Sequence, residues 1–334
     1  MVQQNAGEVN FDHLGERFKT RGNRRFSCVK KAAFWQTIVA RRIEDRTADC
    51  MENIGYYNGT FAPLEQLMIP ALDRGVYFGD GVYEALRVER HRFFALEEHL
   101  SRFRASLDFL RIDFPMTDET LRDILHEVAD RVESDSQQLY FQVTRGTAIR
   151  THSFPEKAEA NLLVFTRGVP LADLTEYRRV VVLEDTRWGH CNIKSLNLIP
   201  SVLASQTAKE RGCAEAVFHK DGLVSECSSS NLLLLKDGVL RTAPADELIL
   251  PGVTRAHFLM LARELDIPVD ETAFTLAEME AADELMITST SAHGLPVGFV
   301  DDRPVCGRDE ALLRRLQKAY RDYFWDTLGI SSSF

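Results

Sequence analysis

The chain has 334 residues, 45% apolar and 27% charged, enough for two domains with full cores and ordinary for a water-soluble globular protein. A net charge of −10 argues against general nucleic-acid binding, and no apolar run approaches the ~20 residues of a membrane span. Six cysteines without a CxxC or CxxH pair suggest neither a zinc site nor a disulfide framework, so no metal is expected and the thiols read as free.

Charge is unevenly distributed. Residues 1–50 carry ten Lys and Arg against six Asp and Glu, which leaves the remainder of the chain at −14. This stretch reads either as a poorly ordered basic extension or as an added amphipathic helix, with Ala32, Ala33, Phe34, Trp35, Ile38 and Val39 as its apolar residues. It lacks the basic, apolar and small-residue order of a secretory signal, and a cytoplasmic location is the default expectation.

From Tyr56 the chain reads as short strands and turns, beginning with Asn58-Gly59, a pair that tolerates the positive φ of a tight hairpin. Leu100, Phe103, Leu107 and Leu110 recur at helical spacing, as do Leu121, Ile124, Leu125, Val128 and Val132 after a Thr117-Asp118 start. Leu139 to Thr144 has the branched and aromatic content of a strand. The pattern breaks at Gly168 and Pro170. This predicts a small N-terminal α/β domain over 51–168, a linker over 169–174 and a larger domain over 175–334.

In the second part Arg179 to Leu183 reads as a strand, and two Lys-Asp-Gly turns, at 220–222 and 236–238, predict consecutive hairpins. Pro200 to Arg211 reads as a helix stopped at Gly212, and Thr275 with Glu278 forms a capping box opening another. The class is therefore α/β in the broad α+β sense, with a barrel-like second domain.

The chemistry concentrates in Asn192-Ile193-Lys194-Ser195-Leu196-Asn197, followed about thirty residues on by Glu226 and Ser228-Ser229-Ser230-Asn231. A lysine amine can attack an aldehyde when neutral and later serve as general acid and base, so Lys194 with one carboxylate downstream suits covalent attachment to pyridoxal 5'-phosphate. Together with Arg187-Trp188, Leu250 to Arg255 and Thr288-Ser289-Thr290-Ser291, these motifs resemble the fold-type IV pyridoxal-phosphate enzymes, in their order and spacing from about Tyr56 to Tyr323. Within that family the chain is similar to the D-amino-acid transaminases.

The resemblance implies roles. Lys194 would be the covalent and proton-transferring lysine. Glu226 would face the pyridine nitrogen, an ion pair worth about 4 kcal/mol at ~4 Å and an effective dielectric of ~20. Arg102 resembles the family's phosphate-binding arginine. Val253 and Thr254 look like the start of a helix over 255–265 whose free N–H groups favour an anion, with Ser289 and Thr290 adding donors. Taken singly, Thr254 reads as an N-cap.

Arg187 matches a position close to the cofactor, Tyr83 the active-site tyrosine, and Leu250 the residue packed behind the ring. Arg150 and His152 resemble the carboxylate trap of the D-specific members; two residues apart in an extended segment, they would point to one side. Gly189-His190, Cys227 and Ala292-His293-Gly294 depart from the family pattern, which leaves the serine loop and the side-chain pocket open.

The implied activity is ping-pong transfer of an amino group between a D-amino acid and a 2-oxo acid by a homodimer, with Arg150 and His152 serving the partner's site. Neither a membrane nor a nucleic-acid partner is expected. The alternatives are a branched-chain L-amino-acid transaminase or a 4-amino-4-deoxychorismate lyase, which share Lys194 and Glu226, and more remotely a cofactor-binding protein without turnover.

Overall fold

The computed structural model describes residues 53–331, within one compact unit spanning Cys50–Phe334. The expected extension over 1–50 lies outside the described residues. Two sheets organise the rest.

The first sheet is built from β1 (Asn53–Tyr57), β2 (Thr60–Ala62), β3 (Gly81–Glu89), β4 (Arg92–Phe93), β5 (Ser136–Thr144) and β6 (Asn161–Gly168). Its order is β2-β1-β6-β5-β3-β4, with every neighbour antiparallel. The Asn58-Gly59 turn joins β1 to β2 as its composition predicts, Asn58 taking φ 44° and Gly59 φ 92°. A short helix α1 (Arg74–Phe78) precedes β3, and α2 (Leu96–Leu110) and α3 (Asp118–Asp130) pack on the sheet.

In α3, Leu121, Leu125 and Val128 fall on one face at spacings of four and three. They meet Leu100, Phe103 and Leu107 of α2 over Leu139, Phe141 and Val143 of β5, forming one buried cluster. Thr117 caps α3, its hydroxyl accepting from the Thr120 N–H at 3.2 Å. Residues 169–177 carry the chain to the second sheet without a regular element.

That sheet takes β7 (Arg178–Glu184), β8 (Glu215–Lys220), β9 (Leu223–Cys227), β10 (Asn231–Lys236), β11 (Val239–Thr242), β12 (Val269–Asp270), β13 (Glu284–Thr288), β14 (Leu295–Val300) and β15 (Arg303–Pro304). The order is β12-β11-β10-β13-β14-β7-β8-β9, with β15 beside β14. Both predicted hairpins are present, β8 with β9 and β10 with β11, each with aspartate and glycine at positive φ in its turn. The helices are α4 (Ile199–Glu210), α5 (Val253–Glu264), α6 (Leu276–Glu280) and α7 (Glu310–Leu328). Thr275 and Glu278 form the full capping box at the start of α6.

A geometric constraint bends this sheet. β9 is a terminal strand and β10 lies five strands away in the order, about 24 Å if the sheet were flat. Only Ser228 to Ser230 connect them, a link that reaches roughly 14 Å at full stretch. The sheet must therefore curl into a half-barrel, which brings Glu226 and the serine loop back against β10.

Candidate active site

A cleft of about 120 Å³ opens between the two sheets. Tyr83, Arg102, Arg187, Lys194, Glu226, Leu250, Val253, Thr254, Ser289 and Thr290 all line it. Arg150 and His152 do not.

The segment bearing Lys194 runs as a short extra strand along β3. The Tyr83 N–H donates to the Lys194 carbonyl and the Leu196 N–H to the Gly81 carbonyl, both at 3.0 Å, and Val82 bridges Ser195. Gly81 permits that approach, because a Cβ there would lie 2.8 Å from the Leu196 side chain. The Lys194 amine consequently sits 4.4 Å from the centre of the Tyr83 ring.

Glu226 lies at the end of β9 and is 5% exposed. One oxygen receives Arg187 at 2.5 Å; the other receives the Asn231 amide at 2.8 Å and the Leu250 N–H at 3.1 Å. Burial pushes its carboxyl up to about 7, against the opposing pull of Arg187, the Leu250 N–H and Lys194. Arg187 is held mainly by Asp185, through Nε at 2.9 Å and a terminal nitrogen at 2.7 Å. Two carboxyls therefore face one guanidinium, and once Glu226 ionises the floor of the cleft has one negative charge to spare for a cation.

At the cleft's other margin Arg102 forks onto Glu84 at 2.8 and 2.7 Å and sends its remaining terminal nitrogen to the Pro251 carbonyl at 3.0 Å. His99 meets the same carboxylate at 2.7 Å. Although burial opposes it, Arg102 and His99 hold Glu84 down to about 2, while burial lowers His99 itself. Glu84 and His99 carried no expectation from sequence. The available signal was a carboxylate next to Tyr83 and among Val82, Ala85 and Leu86 of β3, and a histidine three residues before Arg102 on the same helix face.

The N-terminus of α5 adjoins Pro251, and its start corrects the sequence reading. The helix begins at Val253, two residues earlier than expected, so Thr254 lies inside the first turn and Gly252 takes the cap position without a side-chain hydrogen bond. The first N–H groups of the helix are thus left for a ligand. Gly252 is tightly held, since a Cβ would fall 2.0 Å from Asn231 Oδ1. Asn231 also donates to the Leu250 carbonyl at 3.0 Å, so one amide ties the helix entrance to Glu226.

Ser289 and Thr290 follow β13, and the Thr290 hydroxyl donates to the Ala85 carbonyl of β3 at 3.2 Å. The serine loop is organised by buried Glu215, which accepts from all three hydroxyls of Ser228, Ser229 and Ser230, the latter two at 2.9 and 3.2 Å. Cys227 is buried in β9; with Cys191, Cys213 and Cys306 it is a free thiol, and Cys28 and Cys50 lie outside the described residues.

The segment 145–152 is not extended as expected but passes through bends. Arg150 and His152 nevertheless converge, because both flank Phe78: the guanidinium carbon is 4.9 Å from the ring centre and the imidazole centre 5.2 Å. Both side chains are exposed.

Residues 81–298 match the amino-transferase class IV family. The chain belongs to that family. It is 36% identical over 277 residues to a D-alanine aminotransferase of Staphylococcus aureus (strain COL), covering 82% of this chain and 98% of the relative. A D-alanine aminotransferase of Listeria monocytogenes serotype 4b (strain F2365) is 38% identical over 249 residues, 73% and 86% of the two chains. Among solved structures, the branched-chain amino acid aminotransferase of Escherichia coli superposes with a TM-score of 0.74 at 23% identity, over 85% of this chain and 97% of that one. The T.th. branched-chain amino acid aminotransferase with pyridoxamine 5'-phosphate gives 0.74 at 25% identity, over 84% and 95%.

This class IV aminotransferase is a pyridoxal-phosphate-dependent enzyme, and its cleft suits that cofactor. An amine stands at one side, a surplus negative charge on the floor, and a guanidinium with an uncapped helix N-terminus at the margin where a phosphate needs donors.

Proposed function

We propose that the enzyme moves the amino group of a D-amino acid such as D-alanine to a 2-oxo acid such as 2-oxoglutarate, giving pyruvate and D-glutamate. The observation that carries this reading is the pairing of Arg150 with His152 about one ring. Among the described residues neither side chain has a hydrogen bond or ion pair, so two adjacent sets of N–H donors remain for a carboxylate. The D-alanine aminotransferases at 36% and 38% identity support it.

In this reading Arg102, the first turn of α5, Ser289 and Thr290 hold the cofactor's phosphate, Leu250 packs against its ring and Glu226 with Arg187 borders its nitrogen. When bound, the cofactor supplies an aldehyde that takes up the amino group and a cationic ring that draws electron density from the substrate's α-carbon. Lys194, as the free amine, takes the α-proton and later returns it, and Tyr83 fixes the amine's position from below. Arg150 and His152 anchor the α-carboxylate and so decide which face of the substrate meets Lys194. The first half of the cycle ends with one oxo acid leaving and the amino group retained by the enzyme; in the second half a different oxo acid takes up that group and leaves as the new D-amino acid.

The reading includes a cytoplasmic homodimer. Met68, Leu72, Val76 and Ile149 around the trap, and Ile199 and Leu203 on α4 beside the cleft, are exposed large apolar side chains, Met68 at 82% and Ile149 at 79%. Such surface is usual at an interface between copies. The partner's Arg150 and His152 then complete each cleft, which explains why they lie outside the cleft of their own chain.

The decisive experiment adds D-alanine and, separately, L-leucine to the yellow holoenzyme and follows the visible absorbance. Loss with D-alanine alone, restored by 2-oxoglutarate, is expected; loss with L-leucine alone would put the enzyme on the branched-chain side. Arg150→Ala should raise KM for D-alanine at least ~10-fold, the scale of a lost charge-assisted hydrogen bond. An unchanged KM would remove the trap from the reading.

A further inference from the structure

Phe78 touches neither Lys194 nor the cleft, yet it contacts both members of the candidate carboxylate pair. Its ring centre lies 4.9 Å from the Arg150 guanidinium, 4.9 Å from that of Arg74 and 5.2 Å from the His152 ring, which is tilted by 44°. Arg74 is paired with Asp80 at 2.7 Å, which relieves the repulsion between two guanidinium groups sharing one ring.

An aromatic face is a suitable support for a group that must keep its hydrogen bonds free. The attraction of a guanidinium to the ring uses the charge and the flat face, and leaves the in-plane N–H fork available for a carboxylate. An acidic partner would fix Arg150 equally well, but would occupy the donors and cancel the charge that substrate binding needs.

The loop behind these side chains is tied to the same short helix. Ala148 N–H donates to the Leu72 carbonyl at 3.1 Å and Arg74 N–H to the Gly146 carbonyl at 3.0 Å. The Tyr77 hydroxyl reaches the Ala148 carbonyl at 2.6 Å, and Arg74 donates to the Thr151 carbonyl, between the two trap residues, at 2.8 Å. Arg145, at the loop's entrance, forks onto Asp80 at 2.8 and 2.9 Å. Backbone bonds thus fix residues 146–151, and among the described residues the contact that orients both trap side chains is Phe78.

We propose that Phe78 is the positioning residue that sets the carboxylate-binding geometry of Arg150 and His152. The inference rests on the reading of those two residues as the α-carboxylate trap. Phe78 does not touch substrate; it acts by holding both donors against its ring.

The test measures KM and kcat for D-alanine, and the inhibition constant of propionate, a carboxylate that cannot be transaminated. The proteins are the holoenzyme, Phe78→Leu, Phe78→Tyr, the double variant Arg150→Ala/His152→Ala, and that double variant carrying Phe78→Leu. Thermal midpoints confirm folding, and Phe78→Met replaces Phe78→Leu if the latter does not fold. Phe78→Leu should raise KM and the propionate constant together by about 3- to 10-fold with kcat little changed, the scale of a lost cation–π contact. Phe78→Tyr should restore both, and Phe78→Leu should have no further effect in the trap-less background.

A normal KM in Phe78→Leu, with a raised KM in the trap-less variant, overturns the proposal and leaves the trap reading standing. The same holds if Phe78→Leu acts equally with and without the trap, or lowers kcat alone. A normal KM in the trap-less variant overturns the trap reading, and the proposal with it.

Discussion

Glu226 is a carboxyl held where its charge is disfavoured, with a titration pushed up to about 7 from an ordinary 4.5. In the cofactor-free protein, the folded state therefore keeps a proton that the unfolded chain releases between those values. Its contribution to stability is fully present below about 4.5 and declines as pH rises toward 7, by up to ~3 kcal/mol. Denaturant titrations of the cofactor-free protein across that window should show this decline, and Glu226→Gln should flatten it; parallel curves for the two proteins would contradict the assignment. Glu84 has the opposite sign, since its carboxyl is held near 2, and the stability it contributes is lost only as pH falls below the ordinary carboxylate range. The two buried carboxylates can thus be told apart by pH alone.

At the scale of elements, the entrance to α5 is the sensitive point. The helix starts at a glycine because Asn231 occupies the space a side chain would need, and Asn231 in turn holds Glu226. Gly252→Ala should therefore disturb two ends of the cleft at once, raising the dissociation constant for the cofactor by ~10-fold or more while the fold persists; equilibrium dialysis of the cofactor reads it directly. Helix periodicity, the Thr275 capping box and the Asp-Gly turns were legible because each depends on residues within about one turn of each other. The helix start at Val253 was not, because Thr254 is as good a cap as Gly252 by local criteria, and the distant Asn231, which leaves no room for a side chain at position 252, gives no local signal. The ten cleft residues could be named from motif order, whereas Glu84 for Arg102 and Glu215 for the serines were hidden, because they meet through packing rather than along the chain; Asp185, only two residues before Arg187, was local and went unread. Arg150 and His152 came together for a reason other than the expected alternation, since their segment bends and an aromatic ring does the gathering.

For the whole molecule, the proposed pairing of two chains rests on the exposed apolar residues around α1 and α4. If Arg150 and His152 serve the partner's cleft, mixing Lys194→Ala with the trap-less variant, unfolding and refolding together, should restore at low D-alanine concentration an activity that neither shows there alone. One cleft of the mixed pair then combines an intact lysine with an intact trap. A mixture as inactive as its parents would place the trap and the lysine in the same chain's site.

The three-residue link from Cys227 to Asn231 has a further consequence for how this protein comes into being. Because the sheet must curl to close that link, the floor of the cleft cannot exist until β9 and β10 meet across five strand positions, and its walls draw on residues from Tyr83 to Thr290. A nascent chain that has already released Lys194 has no pocket to offer, and neither does a proteolytic fragment that ends before Thr290. Acquisition of the cofactor is thus a terminal event in biogenesis, and the yellow colour of the enzyme serves as a record that the entire half-barrel has closed.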